Sequence, residues 1–439
     1  MIKQSITSRF VFLFIIIFHV ISVEGRNPMM ESNQSKKDSL KRVEKTIPVS
    51  QNHAKASIAQ TKPGASNTEL YISLLKGKNI GVVANQTSVI GSVSLIDTLV
   101  KSGITIKKIF CPEHGFRGTA DAGATVNNEV DKLTGLPVIS LYGKHLKPTP
   151  QDLAGLDIVV YDLQDVGVRF YTYISTLTYV MEACALNNVQ LMVLDRPNPN
   201  GFYVDGPVLK PSFSSFVGLH PIPIVYAMTP GEYAQMVNGE GWLPNHIKCK
   251  LQVIPLKGWD HNTRYALPVK PSPNLPDMDA VYIYPSTCLF EGTILSLGRG
   301  TEKPFRYIGH PDWPDHAFSF KPIATKGASL TPPFKDVRCY GVDLSGKGTA
   351  LSNSKSPQIT LAVLITAYKQ LGKKSGFFTN FFDKLAGTDN LRLQIESGKT
   401  EDEIRSSWKN EITQFKKTRK KYLLYKDFEK SSSWYLYDN

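Results

Sequence analysis

The chain reads as an α/β protein whose N-terminal half is a Rossmann-like layered domain. Three apolar runs carry that expectation, because each ends abruptly in a dense polar cluster. Ile109-Phe110-Cys111 runs into Pro112-Glu113-His114-Gly115-Phe116-Arg117-Gly118, Ile158-Val159-Val160-Tyr161 into Asp162-Leu163-Gln164-Asp165, and Leu191-Met192-Val193-Leu194 into Asp195-Arg196-Pro197-Asn198. Strands covered by helices on both faces are apolar throughout, and open α/β sheets bind ligands beyond the strand carboxyl ends. The polar clusters are therefore where a site is expected.

In chain order, residues 1–25 read as an export signal. Lys3 and Arg9 precede an apolar stretch from Phe10 to Ile21, with Ser22 and Gly25 behind it. About a dozen apolar residues fall short of the ~20 that a spanning helix needs, so cleavage is expected rather than anchoring, with a periplasmic or secreted destination. Residues 26–67 are rich in Ser, Lys, Gln and Asn and hold no aromatic residue. That is the composition of a disordered linker.

From residue 68 strand and helix signals alternate. Strands are expected at Asn79 to Ala84, Ile106 to Cys111, Leu136 to Leu141, Ile158 to Asp162 and Leu191 to Asp195, with helices around Leu95 to Lys101 and from about Thr176 to Asn187. Right-handed βαβ crossovers make a layered domain over 68–207 the first choice, and a (β/α)₈ barrel the competing architecture. Residues 208–439 change character, with many prolines between Pro207 and Pro333. Thr229-Pro230-Gly231-Glu232 predicts a helix starting at Pro230, since threonine caps, proline opens and glutamate closes the capping box. Thr400-Glu401-Asp402-Glu403 repeats that logic ahead of a helix reaching about Lys420, and another helix is expected from Ile359 to Leu371.

The 439 residues carry a net charge of +13, but the basic residues are spread out, with one tight run at Lys416-Lys417-Thr418-Arg419-Lys420-Lys421. No nucleic-acid partner is expected of an exported chain; a mildly basic surface suits an anionic extracellular polymer, and the run itself suits a solvated helix face. The five cysteines, Cys111, Cys184, Cys249, Cys288 and Cys339, show no CxxC spacing, which excludes a zinc site or dense disulfide framework of the usual pattern. No GxGxxG follows the first strand and no GxSxG elbow occurs, and Gly298-Arg299-Gly300-Thr301 lacks the Walker lysine. Dinucleotide, nucleotide and serine-triad chemistry are disfavoured, and His145 and His310 lack metal-ligand spacing.

The remaining inventory at the predicted mouth is carboxylate, amide, arginine and aromatic, which suits sugar hydroxyls and ring faces. Glu113, directly after a strand and beside His114 and Arg117, is the candidate acid or base; bracing of the loop by a Glu113–Arg117 pair is the competing reading. The stretch Asp162, Gln164, Asp165, Arg169, Phe170, Tyr171 and Tyr173 follows another strand end, although its aromatics also suit a helix entering the core. Arg196 and Asn198 sit in a rigid turn that either binds ligand or braces the crevice. Asn274, Glu291, Thr293 and Arg299 belong to a polar, Gly-rich loop system in the second half.

As a set, Ala84-Asn85-Gln86-Thr87-Ser88, Pro112 to Gly118, Tyr161 to Tyr173, Leu194 to Pro199, Glu291-Gly292-Thr293 and Gly298 to Thr301 resemble the exo-β-N-acetylmuramidases of the NamZ type, glycoside hydrolase family 171. The likeness spans about Leu70 to Tyr425. It implies an exported enzyme that removes terminal β-1,4-linked N-acetylmuramic acid from non-reducing ends of peptidoglycan fragments. It also implies a smaller α+β C-terminal domain closing a cleft, and no cofactor. Glu113 matches the family's proposed catalytic glutamate. For its partner Asp162, Asp165, Glu291 and Glu302 are candidates, with Asp165 favoured, and Arg117, Arg196 and Arg299 are candidates for meeting the lactyl carboxylate. A non-catalytic peptidoglycan-binding protein is the alternative; a deacetylase or amidase would call for a metal triad or nucleophile not found.

Overall fold

The computed structural model describes residues 60–112, 116, 129–372 and 376–429. Six parallel strands form the central sheet: β1 (Asn79–Ala84), β2 (Thr105–Cys111), β3 (Pro137–Ser140), β4 (Ile158–Asp162), β5 (Gln190–Leu194) and β6 (Leu251–Ile254). Their order is β3-β2-β1-β4-β5-β6, with Glu129–Val130 pairing antiparallel on the outer edge of β3. The order reverses between β1 and β4, so the sheet is open and doubly wound, and the barrel alternative is excluded. Strand interiors alternate between two cores: Ile80, Val82 and Ala84 join one, Val83 the other.

Helices α1 (Leu95–Lys101), α2 (Tyr173–Leu186) and α3 (Pro230–Gly239) pack on this sheet. Both ends of the capping box expected at Thr229 are made: its Oγ1 accepts from Glu232 N at 3.2 Å, and Glu232 Oε2 accepts from Thr229 N at 2.9 Å. Helix α2 begins three residues earlier than expected, since Tyr173 and Ile174 face the core. Beyond it come α4 (Met278–Thr287), α5 (Ala362–Leu371), α6 (Asn380–Ala386), α7 (Glu401–Ser407) and α8 (Lys409–Lys420), together with a small antiparallel sheet of Tyr307–His310, Cys339–Asp343 and Ser319–Phe320. The expected single helix over 401–420 is broken at Trp408, which is buried with ψ near 2°.

Two boundaries differ from expectation. The sheet runs past Pro207, because α3 and β6 belong to it; β6 is an edge strand with only Ile254 fully buried, so it lacks the apolar run that announces the inner strands. Ordered chain also begins ahead of residue 68. Lys62 and Lys257 exchange backbone hydrogen bonds, and Gly64 lies so close to the sheet edge that a Cβ there would stand 2.3 Å from Ile254 O. That contact is backbone on backbone, which hydrophobic patterning does not register. All five cysteines are buried, and burial pushes Cys249 up to about 12 and Cys339 to about 11.

Gly167, at φ 76°, begins the turn that delivers Arg169 to Tyr173, and a Cβ there would sit 1.9 Å from Asn198 Oδ1. Gly167→Ala therefore combines left-handed strain with overpacking and should cost about 3 kcal/mol or more. Urea denaturation reads it; a loss below about 1 kcal/mol would mean that Asn198 simply moves aside.

Candidate functional site

A cavity of ≈ 340 Å³ lies between the carboxyl-end loops of the sheet and the C-terminal half. Tyr142, two residues beyond β3, forms one wall, and Phe170, Tyr171, Thr172 and Tyr173 at the start of α2 form another. Ser272, Asn274, Tyr284, Glu291, Arg299, Phe305 and Phe381 complete it from the second half. Rings meet edge to face along the floor: Tyr171–Tyr173 at 4.7 Å, Tyr284–Phe305 at 4.9 Å and Phe170–Tyr284 at 5.5 Å. Leu141 N donates to Cys111 O at 2.7 Å, so the end of β2 lies beside the residue preceding Tyr142. Glu113, His114 and Arg117, which follow β2 in sequence, lie outside the described residues.

Glu291 is the one carboxylate on this wall among the described residues. Its Oε1 accepts from Arg299 Nη2 at 2.6 Å, with the two side chains 23% and 21% exposed. Burial works against the charge on Arg299, but Glu291 outweighs it and raises the guanidinium further. Arg299 also lies 5.1 Å over the Phe305 ring, and its Nε and Nη1 have no partner among the described residues, leaving donors for a ligand. Tyr171 donates to Pro271 O at 2.8 Å, Asn85 donates to the Tyr173 hydroxyl at 2.9 Å, and Asn274 donates to Ala328 O at 3.0 Å, which fixes these walls.

The other expected site residues face inward. Asp165 is 2% exposed; its Oδ2 accepts from Gly167 N at 2.6 Å and from the Tyr226 hydroxyl, and it does not line the cavity. Burial pushes its carboxyl up to about 7 against those hydrogen bonds. Asp162 is wholly buried and held by Arg196 at 2.5 and 2.8 Å. Arg169 donates to four backbone carbonyls, those of Pro207, Ile222, Leu385 and Ala386. Gln164 donates to the Asp165 and Pro197 carbonyls, Asn198 to Met228 O, and Thr293 to Phe290 O. These side chains hold loops in place. They are where polar clusters at strand ends were expected, but the donors and acceptors are turned toward backbone groups and toward other buried side chains.

Sequence reasoning missed Tyr142, Tyr284, Phe305 and Phe381 as wall residues. Tyr142 had a usable signal, since it too follows a strand end; the others reach the cavity only through tertiary packing. It also missed a buried polar network around Asp195, whose oxygens accept from Thr229 Oγ1 (2.8 Å), Tyr425 OH (2.6 Å), Gly231 N (2.8 Å) and Arg196 N (3.0 Å). Beside it, the two wholly buried side chains of Glu232 and His261 pair at 3.1 Å. Among the described residues no group of three His, Cys, Asp or Glu side chains converges to hold a metal, and no helix is long and apolar enough to cross a membrane.

Comparison with known proteins points one way. The family model described as exo-beta-N-acetylmuramidase NamZ, N-terminal, matches residues 80–279, and its C-terminal counterpart matches 282–425. The peptidoglycan beta-N-acetylmuramidase NamZ of Bacillus subtilis (strain 168) is 42% identical over 373 residues, covering 81% of this chain and 89% of that protein. Two crystal structures of DUF1343 family proteins from Bacteroides fragilis share the fold. One is 44% identical with a TM-score of 0.77 over 84% of this chain and 100% of its own; the other is 29% identical with a TM-score of 0.71 over 83% and 99%.

Burial raises Asp165 and Asp195 alike, each to about 7 from an unfolded value near 4. Between those values the folded state keeps a proton that the unfolded chain has released, so stability should fall as pH rises from 4 to 7. Asp165→Asn should remove about half of that slope, read from urea midpoints across the interval. Equal slopes in the two proteins would show that Asp165 stays ionised throughout.

Proposed function

This chain belongs to the NamZ family of exo-β-N-acetylmuramidases, and from that premise we propose that it is an exported glycoside hydrolase releasing terminal β-1,4-linked N-acetylmuramic acid from non-reducing ends of peptidoglycan fragments. The observation that carries the reading is the aromatic cavity with the Glu291–Arg299 pair in its wall. Ring faces take the apolar side of a sugar, and the pair supplies an acceptor for hydroxyl or amide hydrogens beside free guanidinium donors. The lactyl carboxylate that separates muramic acid from glucosamine is an anion, and Arg299 is the arginine of this wall able to receive it.

In this reading Glu113 is the general acid that protonates the leaving glycosidic oxygen and then, as base, draws the proton from water. Its support is positional: it follows β2 in sequence, and the β2 end lies beside the segment that presents Tyr142 to the cavity. Glu291, paired with Arg299, faces the positive charge that develops on the sugar ring or orients the acetamido group. The N-terminal signal layout supports export and a place in cell-wall turnover, in the periplasm or outside the cell.

Protein lacking residues 1–59 should release sugar from a chromogenic β-N-acetylmuramide and not from its glucosamine analogue, and Glu113→Gln should abolish that release. Full activity in Glu113→Gln would discard the site; no release from either substrate by the parent would favour a binding protein. Arg299→Ala should raise KM about tenfold with little change in kcat, the loss expected of a charge-assisted hydrogen bond. Unchanged kinetics together with unchanged preference for the muramide would remove Arg299 from the recognition of the lactyl group.

A further inference from the structure

A second pocket, of ≈ 320 Å³, lies beyond the carboxyl ends of the sheet and is lined by none of the residues that line the sugar cavity. Val89, five residues past β1, and Arg196, two past β5, form part of its wall, and Arg196 is tied to Asp162, the last residue of β4. It therefore lies at the switch point between β1 and β4, where open α/β sheets present ligands to converging loops.

Arg196 is 1% exposed. Its Nε and Nη2 hold the two oxygens of Asp162, and Nη2 also donates to Val89 O at 3.2 Å. A guanidinium has five N–H donors, and Nη1 has no partner among the described residues although the side chain lines the pocket. The hydroxyls of Ser66 and Tyr265, on the same wall, likewise have none. Tyr265 lies close enough to Arg196 for each to shift the other's titration. Lys62 stands at the rim, and among the described residues no carboxylate lines the pocket. This donor set asks for an anion. Because Asp162 already neutralises Arg196, it favours a singly charged acceptor over a doubly charged phosphate.

One short segment of chain borders both pockets. Pro268 lines this one, while Ser272 and Asn274 line the sugar cavity; four residues of chain span at most about 14 Å. That strap is held by Gln86 Nε2 on the carbonyls of Lys270 and Pro271, at 3.4 Å each, and by the Tyr171 hydroxyl on Pro271 O. A fragment whose terminal sugar occupies the cavity can extend across this strap to reach the switch-point pocket.

We propose that the switch-point pocket binds a carboxylate of the fragment on the leaving-group side of the scissile bond, through Arg196 Nη1 with Ser66 and Tyr265. The inference rests on the muramidase reading for its ligand, and two sources carry that chemistry: the lactyl group of the next muramic acid, and the peptide stem attached there.

The test compares three fragments with the same terminal muramic acid: a disaccharide ending in glucosamine, a longer glycan with one internal muramic acid, and that glycan bearing a stem peptide. In the parent protein kcat/KM should exceed the disaccharide value about tenfold for at least one longer fragment. The ratio should fall to about one in Ser66→Asp, which sets a carboxylate against Arg196, and decline in Tyr265→Phe. An advantage already present in the glycan without peptide assigns the lactyl group; one that needs the peptide assigns the stem. A flat series in the parent, or a ratio retained in Ser66→Asp, overturns the proposal. Calorimetric binding of the same fragments to Glu113→Gln, with and without Ser66→Asp, reads the pocket without turnover. A preference lost there, with a parent that cleaves nothing, keeps the pocket and rejects the hydrolase.

Discussion

Arg169 is the constraint that makes the site one object. It sits in the loop after β4, wholly buried, and its Nη1 and Nη2 donate to carbonyls of Pro207 and Ile222 on one side and of Leu385 and Ala386 on the other. Among the described residues no carboxylate pairs with it; carbonyl dipoles carry the solvation of the charge, and burial lowers its pKa to about 9, still cationic at neutral pH. Room for the guanidinium depends on Gly387, where a Cβ would lie 2.7 Å from Nη2. The next four residues, Phe170 to Tyr173, are one wall of the aromatic cavity, and Leu385 belongs to the opposite one. A single side chain thus sets the width of a cavity whose walls lie more than 200 residues apart in sequence.

The polar groups at the strand ends serve mostly the same purpose. Asp195 gathers donors from α3, from Tyr425 near the end of the chain and from its own turn. Asp165 ties its turn to Tyr226, and Gln164 ties the loops after β4 and β5 together. Loops that carry a binding surface need their backbone polar groups satisfied without regular structure, and buried carboxylates and amides do that. The cost shows as raised carboxyl pKa values at Asp165 and Asp195, paired with rigidity at the cavity edge.

The layered fold was legible because its inner strands are apolar on both faces, and helix starts were legible where threonine and glutamate stood at capping-box spacing. β6 was not: as an edge strand its Leu251-Gln252-Val253 is half-buried and gives no run. At the site, residue types at strand ends showed where polar chemistry gathers but not which way each side chain turns. Asp165 reads in sequence as the favoured partner of Glu113, ahead of Asp162 and Glu291, yet only Glu291 of the three reaches the cavity wall. Direction depends on partners such as Tyr226 and Arg196 that are 61 and 34 residues away, and no local pattern encodes them.

Two arginine–carboxylate pairs show how exposure divides the roles. Asp162–Arg196 is sealed, so both carboxylate oxygens are consumed and what remains is one face of the guanidinium, turned to the switch-point pocket. Glu291–Arg299 is about one-fifth exposed on each side, so carboxylate and cation are both available to a ligand. A sealed pair offers donors alone and can select an anion; an open pair offers both signs and can hold a neutral sugar ring beside its acidic substituent. The same pairing of arginine with a carboxylate therefore presents different chemistry to each of the two pockets.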